Sequence, residues 1–536
     1  MRASRSSVHW LVSLCSVVVL AFSVAGCEGD DGRDGADGAD GIAGTPGADG
    51  VNCWDLDANG VGDPAEDLNG DGTVDVEDCN ALASGAYQSV QLHVGYFTEN
   101  TYEGTQSCLN CHGKIGDNVM TTAHFKWQGV AAGITGYEGE DHGKRDLINN
   151  FCIAVPSNEV RCTHCHTGYG WADNTFAFND PETIDCLICH DQSGTYKKQK
   201  KAAGAPDAAV DLDMVARSVA LNEGKPTRQN CTFCHSNAGG DDNVKHGDIA
   251  MNLLDTTYEY DVHMGSTASG GSDMDCINCH LPNKVDGAVD GKLIDHGIAG
   301  MAYHSVDEGG EMQECDTCHG DRANIHVNTT VEPVLALPAH DTLACQVCHI
   351  PAIARFTSTM VDWRWSDAGQ DIDPIPTDPV TGRDTYDKKK GTFIWANNVR
   401  PSLLYYDGKW DRKMINVNDT YTTTPVDLGS PSADYTTPGA MIYPFKKMVG
   451  NQVADTVNQR MMVPHLFGSA TGPNPYWGGF DWDLAIQDGA NYTNQPYSGT
   501  YGFVDTFMFL KVDHEVAPRD ERTVVGLSPR LLAAVV

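Results

Sequence analysis

The sequence predicts short α-helices and irregular loops packed around covalently held groups instead of an apolar core, followed by a shell with some β structure. Three observations predict it. The pentad Cys-X-X-Cys-His occurs seven times between residues 108 and 349 of a 536-residue chain, roughly once per 35 residues. Attachment points that dense leave little room for the long apolar stripes that ordinary helices bury. Residues 356–536 then carry no pentad; they are rich in Trp, Tyr, Gly and Pro, with β-leaning runs such as "RPSLLYY" (400–406) and "YGFVDTFMFLKV" (501–512).

The pentads are Cys108, Cys111, His112; Cys162, Cys165, His166; Cys186, Cys189, His190; Cys231, Cys234, His235; Cys276, Cys279, His280; Cys315, Cys318, His319; and Cys345, Cys348, His349. From the chain's own Cys and His frequencies, chance predicts about 0.02 occurrences. Zinc would need paired half-sites at tetrahedral spacing, which seven independent pentads do not supply. The motif attaches c-type haem: two thiols add to the vinyl groups and the next histidine reaches the iron. Seven haem c sites are expected, with the porphyrins forming the core of a multihaem cytochrome c and lying close enough to pass electrons.

A second histidine on each iron would make the region a wire. The chain has 20 His, and seven are used in pentads. Of the others, His93, His142, His304, His465 and His514 are candidates, but the supply between 124 and 340 matches the demand best. The expected distal ligands are His124, His246, His263, His296, His326 and His340.

Ahead of this region the chain is punctuated by composition. Arg2 and Arg5 precede an apolar run, Trp10 to Val24, and then "VAGC" (24–27). Residues 1–27 are expected to be an export signal. Either Cys27 becomes a lipid-anchored first residue or the cysteine is incidental to an ordinary signal peptide. Residues 28–50 place glycine at every third position from Gly29 to Gly50. That is the collagen period, but with Pro46 as the sole proline a solvated spacer is the favoured reading. Residues 51–82 hold two oxygen ladders: Asp55, Asp57, Asn59, Asp63 and Glu66, then Asp67, Asn69, Asp71, Asp75 and Asp78, with Gly60 and Gly72 at the turns. Each has calcium-loop spacing. The loops abut, which resembles dockerin-type repeats, and Cys53 and Cys79 bracket them; an acidic linker without metal is the alternative. Residues 83–355 form the expected multihaem domain and 356–536 the haem-free shell. The net charge of −37 excludes a general affinity for nucleic acid or anionic lipid. An anionic substrate would need a local cationic pocket.

Longer stretches carry a resemblance. "TTAHFKWQG" (121–129), "NNFCIAVPSNEVRCTHCH" (149–166), "IDCLICHDQSGTYKK" (184–198), "GGDDNVKHGDI" (239–249) and "CQVCHIPAIAR" (345–355) resemble octahaem tetrathionate reductase-type cytochromes c, over roughly 100–518. The resemblance implies a respiratory reductase of tetrathionate, nitrite or hydroxylamine, supplied by a partner cytochrome or quinol dehydrogenase. It further implies one haem with a lysine nitrogen ligand. By that match the lysine is Lys245, with Asp242 and Cys152 as active-site acid and cysteine, and the haem is the one on Cys162, Cys165 and His166. Lys197 and Lys198, in "YKKQKK", look like a solvated basic run. The family carries eight haems, whereas this chain shows seven pentads. The eighth is expected after "HEVAP" (514–518), where "RDERTVVGLSPRLLAAVV" (519–536) stands instead. On that reading His514 is idle and the shell is shortened. The rival to the enzyme reading is a plain electron conduit with no substrate site.

Overall fold

The computed structural model describes residues 89–521, apart from 91, 285–293, 299–310, 322–324, 328–340, 417–418 and 469–471. The expected export signal, spacer and calcium loops, including Cys27 and every residue of the two oxygen ladders, lie outside the described residues.

Between 105 and 349 the described residues run mostly as short helical turns and loops, with one 14-residue helix, Gln106–Val119, and two small sheets. Most turns are the pentads themselves: Leu187–His190, Cys315–His319 and Cys345–His349 are helices of four or five residues, and His235 ends helix α1 (Arg228–His235). A helical turn is what the motif needs, because positions i, i+3 and i+4 share one face. Both thiols and the histidine are then delivered to the same side.

Residues 359–511 are more regular than the expected irregular shell. They form a nine-stranded mixed sheet. In chain order its strands are β1 (Thr359–Arg364), β2 (Tyr386–Asp387), β3 (Gly391–Ala396), β4 (Ser402–Tyr406), β5 (Trp410–Arg412), β6 (Val426–Pro431), β7 (Met441–Asp455), β8 (Arg460–Met461) and β9 (Tyr501–Lys511). The spatial order is β5-β6-β9-β7-β1-β3-β2, with β4 and β8 also paired to β7. The 15-residue β7 is the hub: it pairs antiparallel with all of β9, from Phe445↔Lys511 to Asp455↔Tyr501, and parallel with β1. The close fit to β1 uses Gly450, where a Cβ would stand 2.5 Å from the Trp363 carbonyl oxygen.

The main apolar core lies on this sheet. Trp363 and Trp365, both buried, stack at 5.0 Å, and Tyr476 stacks on Trp482 at 3.7 Å. Helix α2 (Trp482–Thr493) closes over it, capped by Asp481, whose carboxylate accepts from Leu484 N at 3.1 Å. It buries Trp482, Ala485, Ile486, Gly489 and Ala490, an i, i+3, i+4, i+7, i+8 stripe. The same core takes in Phe151, Ile153, Ala154 and Val244 from the pentad region. That junction positions the site.

Candidate haem sites and a cationic pocket

All seven pentads open onto one cavity of about 4430 Å³. Divided among seven, that is about 630 Å³ each, within the few hundred to a thousand Å³ of a cofactor pocket. No two cysteines are bonded among the described residues, yet thiols of different pentads touch. Cys108 contacts Cys186, Cys231 contacts Cys276, and Cys315 contacts Cys345; Cys234 Sγ lies 3.6 Å from the Cys165 carbonyl oxygen. Attached groups would therefore be neighbours.

Six pentad histidines line the cavity, and each faces another imidazole. His112 faces His93 with ring centres 6.1 Å apart. His235 faces His124 and His190 faces His296, both at 6.2 Å. His319 faces His263 at 5.9 Å, while His280 faces His514 and His349 faces His326 at 6.2 Å. Rings in van der Waals contact would be closer. Two imidazoles on opposite sides of one metal, with bonds of about 2 Å and about 1 Å more to each ring centre, stand about 6 Å apart. The residues thus fit a haem iron between each pair.

The placements correct several expectations. His514 is not idle, because it stands opposite His280. His93, outside the dense region, stands opposite His112. His246 faces no pentad histidine among the described residues. It lines the shared cavity, where the pentad histidine that acts on it electrostatically is His235, whose ring already faces His124. His340 lies outside the described residues.

The pentad at 162–166 differs from the other six. Its cysteines line the cavity but His166 does not. After the 3-10 turn Thr163–Cys165 the backbone of His166 is extended, with ψ 141°. The buried ring sits among Phe125, Trp127 and Trp171, at 5.2, 5.5 and 4.9 Å, with Nε2 2.5 Å from the Phe125 carbonyl oxygen. Burial lowers its pKa to about 3, so the ring is neutral and Nε2 is the donor in that bond. Lys198 secures the turn. Its Nζ donates to the His166 and Gly168 carbonyls and pairs with Asp185 at 2.8 Å, with both side chains inaccessible. Lys198 is therefore not part of a solvated run. Tyr196 and Tyr169 complete the cluster by donating to Asp185 at 2.7 and 3.0 Å.

The same cavity wall carries Lys245, Cys152, Lys144 and Arg412. Cys152 and Lys144 act electrostatically on Cys162, Lys144 and Arg412 act on Lys245, and Lys245 also acts on His235. Strand β7 holds two of their segments from one face. Gln452 donates to the Asn149 carbonyl at 2.7 Å, just before Cys152, and Lys446 donates to the Val244 and Lys245 carbonyls at 2.8 and 2.9 Å. The two segments also meet at Gly239, φ +93°, where a Cβ would strike Val244 at 2.6 Å and approach Phe151 at 3.3 Å. Burial lowers the Lys245 amine to about 7, and the nearby charges of Lys144 and Arg412 push the same way. At neutral pH much of it carries a free lone pair. Burial raises the Cys152 thiol, so it stays protonated. Asp242 is not on the wall; its carboxylate accepts from Met251 N at 2.8 Å, and burial raises its pKa. Asp241 lines the cavity instead, paired with Arg383 at 2.9 Å.

Sequence reasoning missed Lys144 and Arg412. Each lies over a tryptophan, Trp127 at 4.0 Å and Trp410 at 4.1 Å. Lys144 is separated from its ring by 17 residues, so no local pattern marks it.

The family "Cytochrome c bacterial" matches residues 360–524, which is the sheet rather than the pentads. An uncharacterized protein of Archaeoglobus fulgidus is 24% identical over 227 residues, covering 33% of this chain and 73% of that one. The crystal structure of an octaheme cytochrome c from Shewanella oneidensis superposes with a TM-score of 0.69 at 35% identity, covering 81% of this chain and 92% of that chain. With the pentads, the shared cavity and the facing imidazoles in place, this chain belongs to the octahaem cytochrome c family and is a multihaem c-type cytochrome.

Proposed function

We propose that the chain is an exported respiratory reductase of small sulfur or nitrogen oxyanions (tetrathionate, nitrite or hydroxylamine), acting at a lysine-ligated haem. One observation carries this reading. The histidine of one pentad, His166, is turned off the shared cavity, and the wall of that cavity carries Lys245, Cys152 and two further cations, Lys144 and Arg412, which supports Lys245 as the ligand of that haem. The six facing histidine pairs would hold six haems, and Lys245 would supply the nitrogen for the seventh, attached through Cys162 and Cys165. When bound, haem c supplies one-electron chemistry and a path for electrons between neighbours.

The protein's own part is electrostatic. In a chain of net charge −37, Lys144 and Arg412 give an anion a local reason to enter. Their charges are already in place, so little reorganisation is needed as charge develops on the substrate. Lys245 adds a third cation whenever it is displaced and protonated. Cys152, as a neutral thiol, offers a soft contact to a sulfur substrate. Asp241 stands on the same cavity and is held by Arg383, so it does not compete for the other cations. Export and a tether at Cys27 belong to the reading, on the strength of residues 1–27, as does calcium binding at 55–78.

The conduit reading is favoured by a different observation: the thiol contacts link pentads to one another, as a wire needs. Turnover separates the two. The holoprotein, reduced with a viologen dye, should oxidise it on addition of at least one of tetrathionate, nitrite or hydroxylamine. No turnover of any of the three leaves the conduit.

A further inference from the structure

Lys446 has no part in the reading above, yet it is fully buried against the segment that carries Lys245. It sits on β7 with 0% of its surface exposed. Its Nζ has three partners: Val244 O at 2.8 Å, Lys245 O at 2.9 Å and Thr359 Oγ1 at 2.5 Å. The hydrogens can be counted. Thr359 has one hydroxyl hydrogen, and it goes to the Asn243 carbonyl at 2.6 Å. Thr359 must therefore accept from Lys446. The two carbonyls can only accept. All three contacts need a hydrogen from Nζ, and only the ammonium form carries three. Burial alone pushes this amine strongly toward neutrality, with Asp248 opposing. The hydrogen-bond count decides for the cation, because a neutral amine would leave one buried acceptor unsatisfied.

The grip falls on the segment that carries Lys245. Asn243 of the same loop has positive φ, +56°, and its amide donates to the Gly247 and Thr357 carbonyls at 3.2 and 2.8 Å. Gly247, φ +88°, packs so closely that a Cβ would lie 3.1 Å from Lys446 Cδ. A methionine would fill the space of Lys446 without a buried charge, so packing alone does not call for lysine. Clamping two consecutive carbonyls does.

We propose that Lys446 is a positioning residue: by clamping the Val244 and Lys245 carbonyls onto β7 it fixes the backbone from which Lys245 reaches the pentad 162–166 pocket. This rests on the reading of Lys245 as an iron ligand, and the test separates the two.

Lys446→Met, Lys446→Gln, Thr359→Val and Lys245→Gln are prepared as holoproteins. Haem content, far-UV circular dichroism, low-temperature spectra of individual haems and tetrathionate turnover are then measured. Lys446→Met should keep its haems but lose at least half of the lysine-ligated signal, with kcat down about tenfold and KM within about twofold. Lys446→Gln, which retains two donors, should recover part of both. Thr359→Val should move both in the same direction by less, and it decides the matter if Lys446→Met does not fold. If Lys446→Met and Thr359→Val keep the wild-type signal and kcat while Lys245→Gln loses them, Lys446 only supports the fold and the proposal is overturned. If Lys245→Gln itself changes nothing, the ligand reading fails and the proposal falls with it.

Discussion

The His514 ring lies 6.2 Å from the His280 ring, and its Nδ1 is 3.2 Å from the Asp248 carboxylate. The same carboxylate oxygen accepts the backbone N–H groups of Asp513 and His514 at 3.0 Å each. Asp248 therefore fixes the residue, its ring orientation and which ring nitrogen is left for the metal. A carboxylate on the outer nitrogen makes an imidazole a stronger donor and favours the ferric state. Asp248→Asn should raise the midpoint potential of one haem and leave the rest in place. Such partners are worth about 10- to 100-fold in metal affinity, and about 59 mV accompanies each tenfold for one electron, so a rise of about 60–120 mV is expected in a spectroelectrochemical titration. No component shifting by more than about 20 mV would mean that His514 is not a ligand.

Intact mass should show seven covalent haems per chain, one for each pentad in the sequence. Turning His166 away from the cavity should not reduce the number, because attachment is through Cys162 and Cys165. A mass with six haems, and free thiols mapped to Cys162 and Cys165, would contradict the assignment of that pentad.

Asp185 and Lys198 form an ion pair with both side chains fully inaccessible. Removing one partner of such a pair leaves a buried charge uncompensated, at a cost of about 3–5 kcal/mol. Asp185→Ala should lower the thermal midpoint markedly and release the turn at His166–Gly168. Lys197→Ala, next door on an exposed side chain, should cost less than about 0.5 kcal/mol. Equal effects of the two would mean that Lys198 is solvated after all.

Glu159 is 3% exposed, and burial raises its pKa to about 7 against the Tyr492 hydroxyl that donates to it at 2.8 Å. A carboxyl raised in the folded state holds its proton longer there than in the unfolded chain. Its contribution is therefore fully present below about pH 4.5 and is lost as pH rises toward 7. Glu159→Gln should match the wild type near pH 4.5. Above pH 7 it should be more stable, by on the order of 2–3 kcal/mol. Calorimetric scans at pH 4.5 and 8 check this; an equal midpoint difference at both would remove Glu159 as the cause.

How much of this the sequence showed depends on range. The pentads are local, and a single helical turn delivers all three of their side chains, so seven attachment sites could be read directly. The second imidazoles are not local. His124 meets His235 and His280 meets His514 across 111 and 234 residues, distances over which no periodicity speaks. Choosing histidines by density favoured His246 over His93 and His514 for that reason. Lys198 was readable in principle: Tyr196 and Lys198 are buried while Lys197 and Gln199 are exposed, a period-two pattern hidden by the run of lysines. The sheet was hard to see because β7 carries Pro444, Lys446 and Gly450 along its length, residues that break an apolar alternation and that serve the site or its neighbours.

The most direct test of the central claim is the spectrum and turnover of Lys245→Gln. One haem should lose its nitrogen-ligand signature while the six histidine-paired haems keep theirs. Haem content should be unchanged, since every thioether anchor remains. Tetrathionate or hydroxylamine turnover should fall by at least tenfold, because the pocket loses both a ligand and a cation. A variant with the wild-type spectrum and wild-type turnover would contradict it: Lys245 would then be a bystander on the cavity wall, and the protein a conduit rather than a reductase.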